Sequence, residues 1–284
     1  MKLGDDFLEY ISSEKTRAIN LNDPMAWFSY DAMGLVTYGE DFGMVRARKT
    51  KKELADQQGA LSMMAPINDA IWIARLGMAC FPFLKPMRHW FESVKFCCDR
   101  MEKRMHVSFG LNKLLTLGFL LFFTKIANKN GHVKTKVDGV DMATFFLEEY
   151  YSHEKEESVE VRRSLLMGSA MTAMFAGSDT TRAALVSVWY FLCKYPHHAE
   201  QTYEELRYID TTDANVLAAL PHFNGVIKKT LRLAPPTLSG GKRQTGPGGL
   251  FVDGTFIPAG VQIFASKYVT HRRKSIYCLS RRIN

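Results

Sequence analysis

The side chains best placed for chemistry in this sequence are Asp179 and Thr180, a carboxyl and an alcohol in succession, followed by Thr181 and lying inside a long apolar run. Burying a lone carboxylate costs several kcal/mol, so Asp179 must be hydrogen-bonded, solvated by a local pocket, or employed in chemistry. Gly177, two residues earlier, has no side chain, which weakens a helix there and opens room for an approach to the backbone. One use of such a carboxylate is as the general base of a helical enzyme, which needs a nearby His or Cys nucleophile, and the sequence places none. The histidines show no metal-ligand spacing, and the glycine-rich stretch at 239–249 lacks the Gly-Lys-Ser/Thr ending of a phosphate loop.

The element that must position these residues is the segment 161–194. Apolar residues at Leu165, Leu166, Met167, Ala170, Met171, Met174 and Phe175 resume at Ala183, Leu185, Val186, Val188 and Trp189, so nearly every face is apolar and the helix is expected to be buried. At about 1.5 Å rise per residue it spans on the order of 50 Å. Two readings remain open at its middle: one continuous helix with a polar interruption, or two helices with Asp179 as the N-cap of the second.

The chain has 284 residues, 46 % of them hydrophobic, enough for a sizeable core. A net charge of +8 suits an anionic membrane surface or an acidic protein partner. Nucleic acid is not expected, because no nucleic-acid-binding signature accompanies the charge. Five cysteines without regular spacing read as reduced thiols in a cytosolic setting, most of them packing in the core. No secretory signal opens the chain, and the most apolar run, 114–123, is about half the roughly 20 residues that a membrane span needs.

Along the chain, a short amphipathic helix is expected at 5–15. A second helix carries Trp27, Phe28, Tyr30, Met33 and Val36, capped by Asn22-Asp23-Pro24 and broken by Gly39 and Gly43. Another helix is expected to begin in 53–65, and 67–78 is strongly apolar. Residues 81–86 form a proline-punctuated connection, and a helix follows over 87–106. Residues 107–138 keep no helical or strand period and read as an insertion or loop. Helices return at 142–151 and at 197–208, and Leu220-Pro221 opens a third that Pro235-Pro236 stops. Short extended segments at 250–252, 255–257 and 261–264, separated by glycine turns, form a small antiparallel β region. The fold class is therefore mostly α with a small β region.

Two motifs carry a resemblance. Ala-Gly-Ser-Asp-Thr-Thr at 176–181 is followed by Lys229-Thr230-Leu231-Arg232-Leu233-Ala234-Pro235-Pro236, then by the turn stretch 252–260 and by His271-Arg272. Together they resemble the cytochrome P450 family of heme-thiolate monooxygenases in its fungal form, and 27–45 is similar to the family segment after its third helix. The resemblance covers 5–106 and 139–272. It implies a single P450-like domain, incomplete at both ends, with 107–138 an insertion or loop and 273–284 a tail foreign to the family; the unpatterned composition of both segments leads to the expectation that they are products of a mispredicted or unspliced gene model.

By that resemblance the long helix crosses the oxygen-binding face of a heme. Ala176 and Gly177 make room for dioxygen there, and Asp179 and Thr180 deliver protons. Arg243 matches an arginine that pairs with a heme propionate, and His271 a histidine near the heme edge, with a structural role equally open. The implied reaction inserts one oxygen atom into a small hydrophobic substrate of fungal secondary metabolism or xenobiotic oxidation. Its electrons come from NADPH–cytochrome P450 reductase at the cytoplasmic face of the endoplasmic reticulum membrane.

The departures are specific. Lys229 stands where the family has Glu, three residues before Arg232, so the two repel. The membrane anchor, the Trp-x-x-x-Arg helix and the Phe-x-x-Gly-x-Arg-x-Cys-x-Gly loop that supplies the iron's thiolate have no counterpart. Cys278 lacks the surroundings of that loop, and no metal ligand is assigned. As written the chain reads as cytoplasmic and of doubtful activity. The alternative is a non-catalytic relative that binds a ligand or partner, its basic tail at 271–284 serving as an interaction arm.

Overall fold

The structure, a computed structural model, describes residues 2–14, 18–55, 80, 85–119, 141–153, 157–237 and 241–273, and their side chains except those of 55, 85–87 and 107–119. Expectations for 67–78, for the rest of the insertion at 120–138, for the tail at 274–284 and for Cys278 lie outside the described residues. The chain divides into two compact units, 1–179 and 180–284.

The first unit contains α1 (Lys2–Ser13), α2 (Asn22–Tyr38), α3 (Met44–Ala47), α4 (Lys52–Ala55), α5 (Lys85–Phe119), α6 (Met142–Ser152) and the first part of α7 (Val159–Lys194). Its core joins Tyr30 and Tyr38 of α2, Phe96 and Met101 of α5, and Leu166 and Met174 of α7. Two carboxylates organise the backbone around it. Asp31, fully buried on α2, accepts hydrogen bonds from the Met44 and Val45 amides at 3.0 and 2.9 Å and so holds the start of α3. Burial pushes its titration up, and the two amide donors oppose that shift. Asp141 is the N-cap of α6, its Oδ1 accepting from the amide and hydroxyl of Thr144 at 2.9 and 2.8 Å. Its Oδ2 accepts from Arg104 Nε of α5 at 3.0 Å, in an ion pair whose side chains are 9 % and 6 % exposed. Gly39 ends α2 in the left-handed conformation at φ 68°, and a Cβ there would lie 2.8 Å from Asp141 Oδ2, so glycine is required on both counts.

Three expectations are corrected here. The cap of α2 is Leu21 without a side-chain bond, and Asn22 lies inside the helix, because Asn20 Oδ1 accepts from the Asn22 amide instead. Residues 107–119 continue α5 as helix, since their leucines and lysine are good helix formers and single glycines do not stop it. Of the two readings left open for the long helix, the continuous one holds: it is a single element, Val159–Lys194, and Asp179 is no N-cap. Nor is that helix buried all round: Leu166, Ala170, Met174 and Ser178, four apart, make a narrow buried row, while Leu165 is 59 % exposed.

The second unit holds the rest of α7, then α8 (Pro196–Leu206), α9 (Ala214–Ala219), α10 (Pro221–Leu233), β1 (Arg243–Gln244), β2 (Leu250–Val252), β3 (Thr255–Ile257), β4 (Gln262–Ile263) and α11 (Lys267–Thr270). Glu205 of α8 accepts from the His222 and Phe223 amides at 2.9 and 2.7 Å, filling the anion-seeking first turn of α10 from a neighbouring helix. Pro221 occupies the first turn of α10, where its missing N–H costs nothing. The β region consists of two separate antiparallel pairs, β1 with β4 and β2 with β3. Asp253 and Gly254, at φ 48° and 77°, turn β2 into β3. The outcome is a mostly α chain with a small β region, as its sequence pattern implies.

Candidate functional site

Ala176, Gly177, Asp179 and Thr180 all lie within α7 in regular helix. At about 100° per residue, Ala176, Asp179 and Thr180 share one face, since they stand three and four apart, while Ser178 points to the opposite side. The burial follows this geometry. Ala176 is exposed, Asp179 and Thr180 are half-buried, and Ser178 is 1 % exposed. Asp179 Oδ1 is itself shielded from solvent. A carboxyl and a hydroxyl next to an unobstructed alanine form a face that can accept a flat ligand and exchange protons with what lies above it.

Two residues of α2 that sequence reasoning missed hold this stretch. Ser29, 1 % exposed, donates its hydroxyl to the Ser178 carbonyl at 2.8 Å, and the Ser178 hydroxyl donates to the Met174 carbonyl at 2.7 Å. Met33, four residues after Ser29 and therefore on the same face of α2, fills the space above Gly177, where a Cβ would lie 2.6 Å from its Sδ. The i, i+4 spacing of Ser29 and Met33 is a signal present in the sequence. Gly177 thus serves the close approach of α2, and the open surface belongs to Ala176. Alanine at 177 gains about 1 kcal/mol of helix propensity but must displace the Met33 thioether, at about 1–3 kcal/mol. Gly177→Ala is therefore expected to lose up to about 2 kcal/mol in a denaturant melt, and adding Met33→Ala should show a favourable coupling of at least about 1 kcal/mol. Strict additivity of the two changes would exclude this contact.

The remaining expected site residues belong to the second unit. Arg243 lies in β1, where Arg243 and Gln244 pair with Ile263 and Gln262. Its exposed guanidinium donates to the Lys242 carbonyl at 2.9 Å, and among the described residues it forms no ion pair, which leaves its charge available to an anion. The His271 carbonyl accepts from Arg232 Nη1 at 2.7 Å, while its ring Nδ1 is buried without a partner. Arg272 donates in turn to the Leu233 carbonyl, so the end of α10 is fastened to α11 through backbone acceptors. Lys229 titrates below the ordinary lysine range because of burial and of Arg232 nearby, consistent with like charges three apart.

Among the described residues thiolate donors are scarce. Cys97 is fully buried and its thiol is pushed up to about 12, first by burial, with a hydrogen bond to Tyr38 only partly opposing. Cys98 is raised by burial and by Glu102 and Asp99, while Cys80 and Cys193 lie exposed. Among the described residues no group of three or more His, Cys, Asp and Glu gathers to hold a metal ion. No helix of the described residues is long and apolar enough to cross a membrane.

Comparison with known proteins places these features in a family. The family model for cytochrome P450 matches residues 2–279. Among curated proteins the chain is similar to cytochrome P450 monooxygenase notG' of Aspergillus versicolor, 30 % identical over 91 % of this chain and 42 % of the relative. It is likewise similar to tryprostatin B 6-hydroxylase of Aspergillus fumigatus, 27 % identical over 92 % of this chain and 41 % of the relative. The chain thus spans less than half the length of these relatives. Among solved structures, the crystal structure of the cytochrome P450DA heme domain matches the whole chain and 55 % of its own length, with a TM-score of 0.67 at 14 % identity, a likeness of fold.

Proposed function

Because the chain belongs to the cytochrome P450 family, we propose that it is the oxygen-side portion of a heme-dependent monooxygenase of fungal secondary metabolism, its two compact units forming parts of one P450-like domain. The single observation that carries this is the uninterrupted α7, which presents Ala176, Asp179 and Thr180 on one face inside a family match covering residues 2–279. In this reading the Asp179 carboxyl and the Thr180 hydroxyl take up and pass on protons, Ala176 leaves space above the helix, and Ser29 and Met33 fix that stretch from behind. Arg243 offers its guanidinium to a carboxylate such as a heme propionate, and His271 lies at the edge of the same ligand. The substrate is a small hydrophobic molecule, the electrons come from NADPH–cytochrome P450 reductase, and the setting is the cytoplasmic face of the endoplasmic reticulum membrane. The relatives' names support fungal monooxygenase chemistry.

The described residues do not fit the whole of a heme-thiolate centre. Their buried cysteine is held as a thiol, and the others lie exposed or are likewise raised. No step is therefore routed through the iron. The test is spectroscopic: the full chain is expressed with heme supplied, and its Soret band is recorded before and after reduction under carbon monoxide. The expected result is a bound heme without the thiolate-type shift, with uptake reduced at least tenfold by Ala176→Phe, which fills the open face. A chain that takes up no heme would overturn the proposed function, and a thiolate-type shift would overturn the donor assignment.

A further inference from the structure

The second unit holds a half-open pocket of about 210 Å³ between the end of α7, α8 and α10. Phe191, Leu192, Pro221 and Val226 give it mainly apolar walls, and its polar side is made by His198, His222 and Lys229. His198 is 9 % exposed. Its Nδ1 lies 3.3 Å from His222 Nε2 with the rings 5.1 Å apart, so one proton is shared between the two imidazoles. That leaves His198 Nε2 at the other end of the ring, buried and without a hydrogen-bond partner. Among the described residues no protein group satisfies this atom.

The charge around the pair selects the ligand. The His197 ring lies 4.0 Å from that of His198, and Lys229 lines the same cavity, with Arg232 adding to the positive field at Lys229. Tyr195 contacts both His197 and His198 by ring edges. Among the described residues Glu205, whose carboxylate lies next to His222, is committed to the His222 and Phe223 amides. Such surroundings oppose a metal cation and favour an anion. We propose that this cavity binds the carboxylate of a small apolar acid, its head group held by His198 and His222 and its hydrocarbon by Phe191, Leu192 and Val226. The titration of His198, lowered by burial and then by His197, His222 and Lys229, rises when the anion enters. Binding therefore tightens as pH falls from about 7 toward about 6, where imidazole begins to gain its proton while a simple carboxylate remains ionised.

The probe is hexanoate, with hexanol as its uncharged counterpart, titrated into the full chain by calorimetry and by the histidine ring signals in NMR. Hexanoate is expected to bind at least tenfold more tightly than hexanol at pH 6, to tighten between pH 7 and pH 6, and to shift the His198 and His222 signals. His198→Leu is expected to remove that preference while hexanol binding is kept, and His222→Gln to weaken hexanoate should the first variant fold poorly. Equal binding of the two probes, a preference unchanged by either variant, or no binding of either probe would overturn the proposal. Heme uptake is unaffected by these outcomes, so the test stands apart from the P450 reading.

Discussion

Asp141→Ala is expected to destabilise the first unit by about 3–5 kcal/mol, the range for breaking a buried ion pair at one partner. The side chain has three duties at once. It caps α6 through the Thr144 amide, accepts the Thr144 hydroxyl, and neutralises Arg104, whose side chain is only 9 % exposed. Alanine removes all three and takes from the buried Arg104 side chain its carboxylate partner. The loss should register as a lower denaturant midpoint and as faster amide exchange throughout α6. Arg104→Met together with Asp141→Asn is expected to recover part of it, because no uncompensated charge then remains and asparagine still caps. A single-variant loss below about 1 kcal/mol would show that Arg104 finds solvent or another partner.

Asp31→Ala is comparable, at about 2–6 kcal/mol, from two buried amide donors that each cost about 1–3 kcal/mol when unpaired. Met44 and Val45 are 1 % and 2 % exposed, so water does not replace the carboxylate. Asp31→Asn keeps one acceptor and should lose roughly half as much. The pH dependence has a definite sign. The folded-state titration of Asp31 is raised by burial above the ordinary value of 3.8. Its contribution is therefore complete below that value and declines as pH rises through the raised one. Stability of the unmodified chain relative to Asp31→Asn should fall over that interval, and a rise would contradict the assignment.

The amino-acid pattern reveals the long elements and hides what fastens them. The helix around Asp179 is legible because apolar residues recur along it, and α10 because Leu220-Pro221 and Pro235-Pro236 bracket it. The hairpin at 250–257 is legible from Asp253-Gly254. The continuity of α7 through Gly177-Ser178 is not, because it depends on α2: Met33 fills the glycine gap and Ser29 binds the Ser178 carbonyl. A polar interruption on one strand of sequence gives no sign of a partner about 150 residues away. The expectation of all-round burial failed for a related reason, since apolar content along α7 exceeds what the described neighbours cover, and Trp189 and Tyr190 remain exposed. Asp31 and Asp141 look like ordinary helix carboxylates until the amides that converge on them are seen. Of the site itself, the residues of one helix turn are readable, whereas the roles of Arg243 and His271 depend on a ligand surface that sequence alone does not place.

The β2–β3 hairpin carries its own kinetic meaning. Its turn residues already sit at positive φ, and Phe251 stacks on Phe256 directly across the pair, with ring centroids 4.9 Å apart. Every contact in it spans only a few residues of chain, so it forms on the hairpin timescale of about 1–10 µs, without waiting for long-range closure. It is therefore a place where ordered structure arises early in the second unit, ahead of β1 and β4, whose partners are separated by some 20 residues and meet only after the loop between them has shortened its path by folding first.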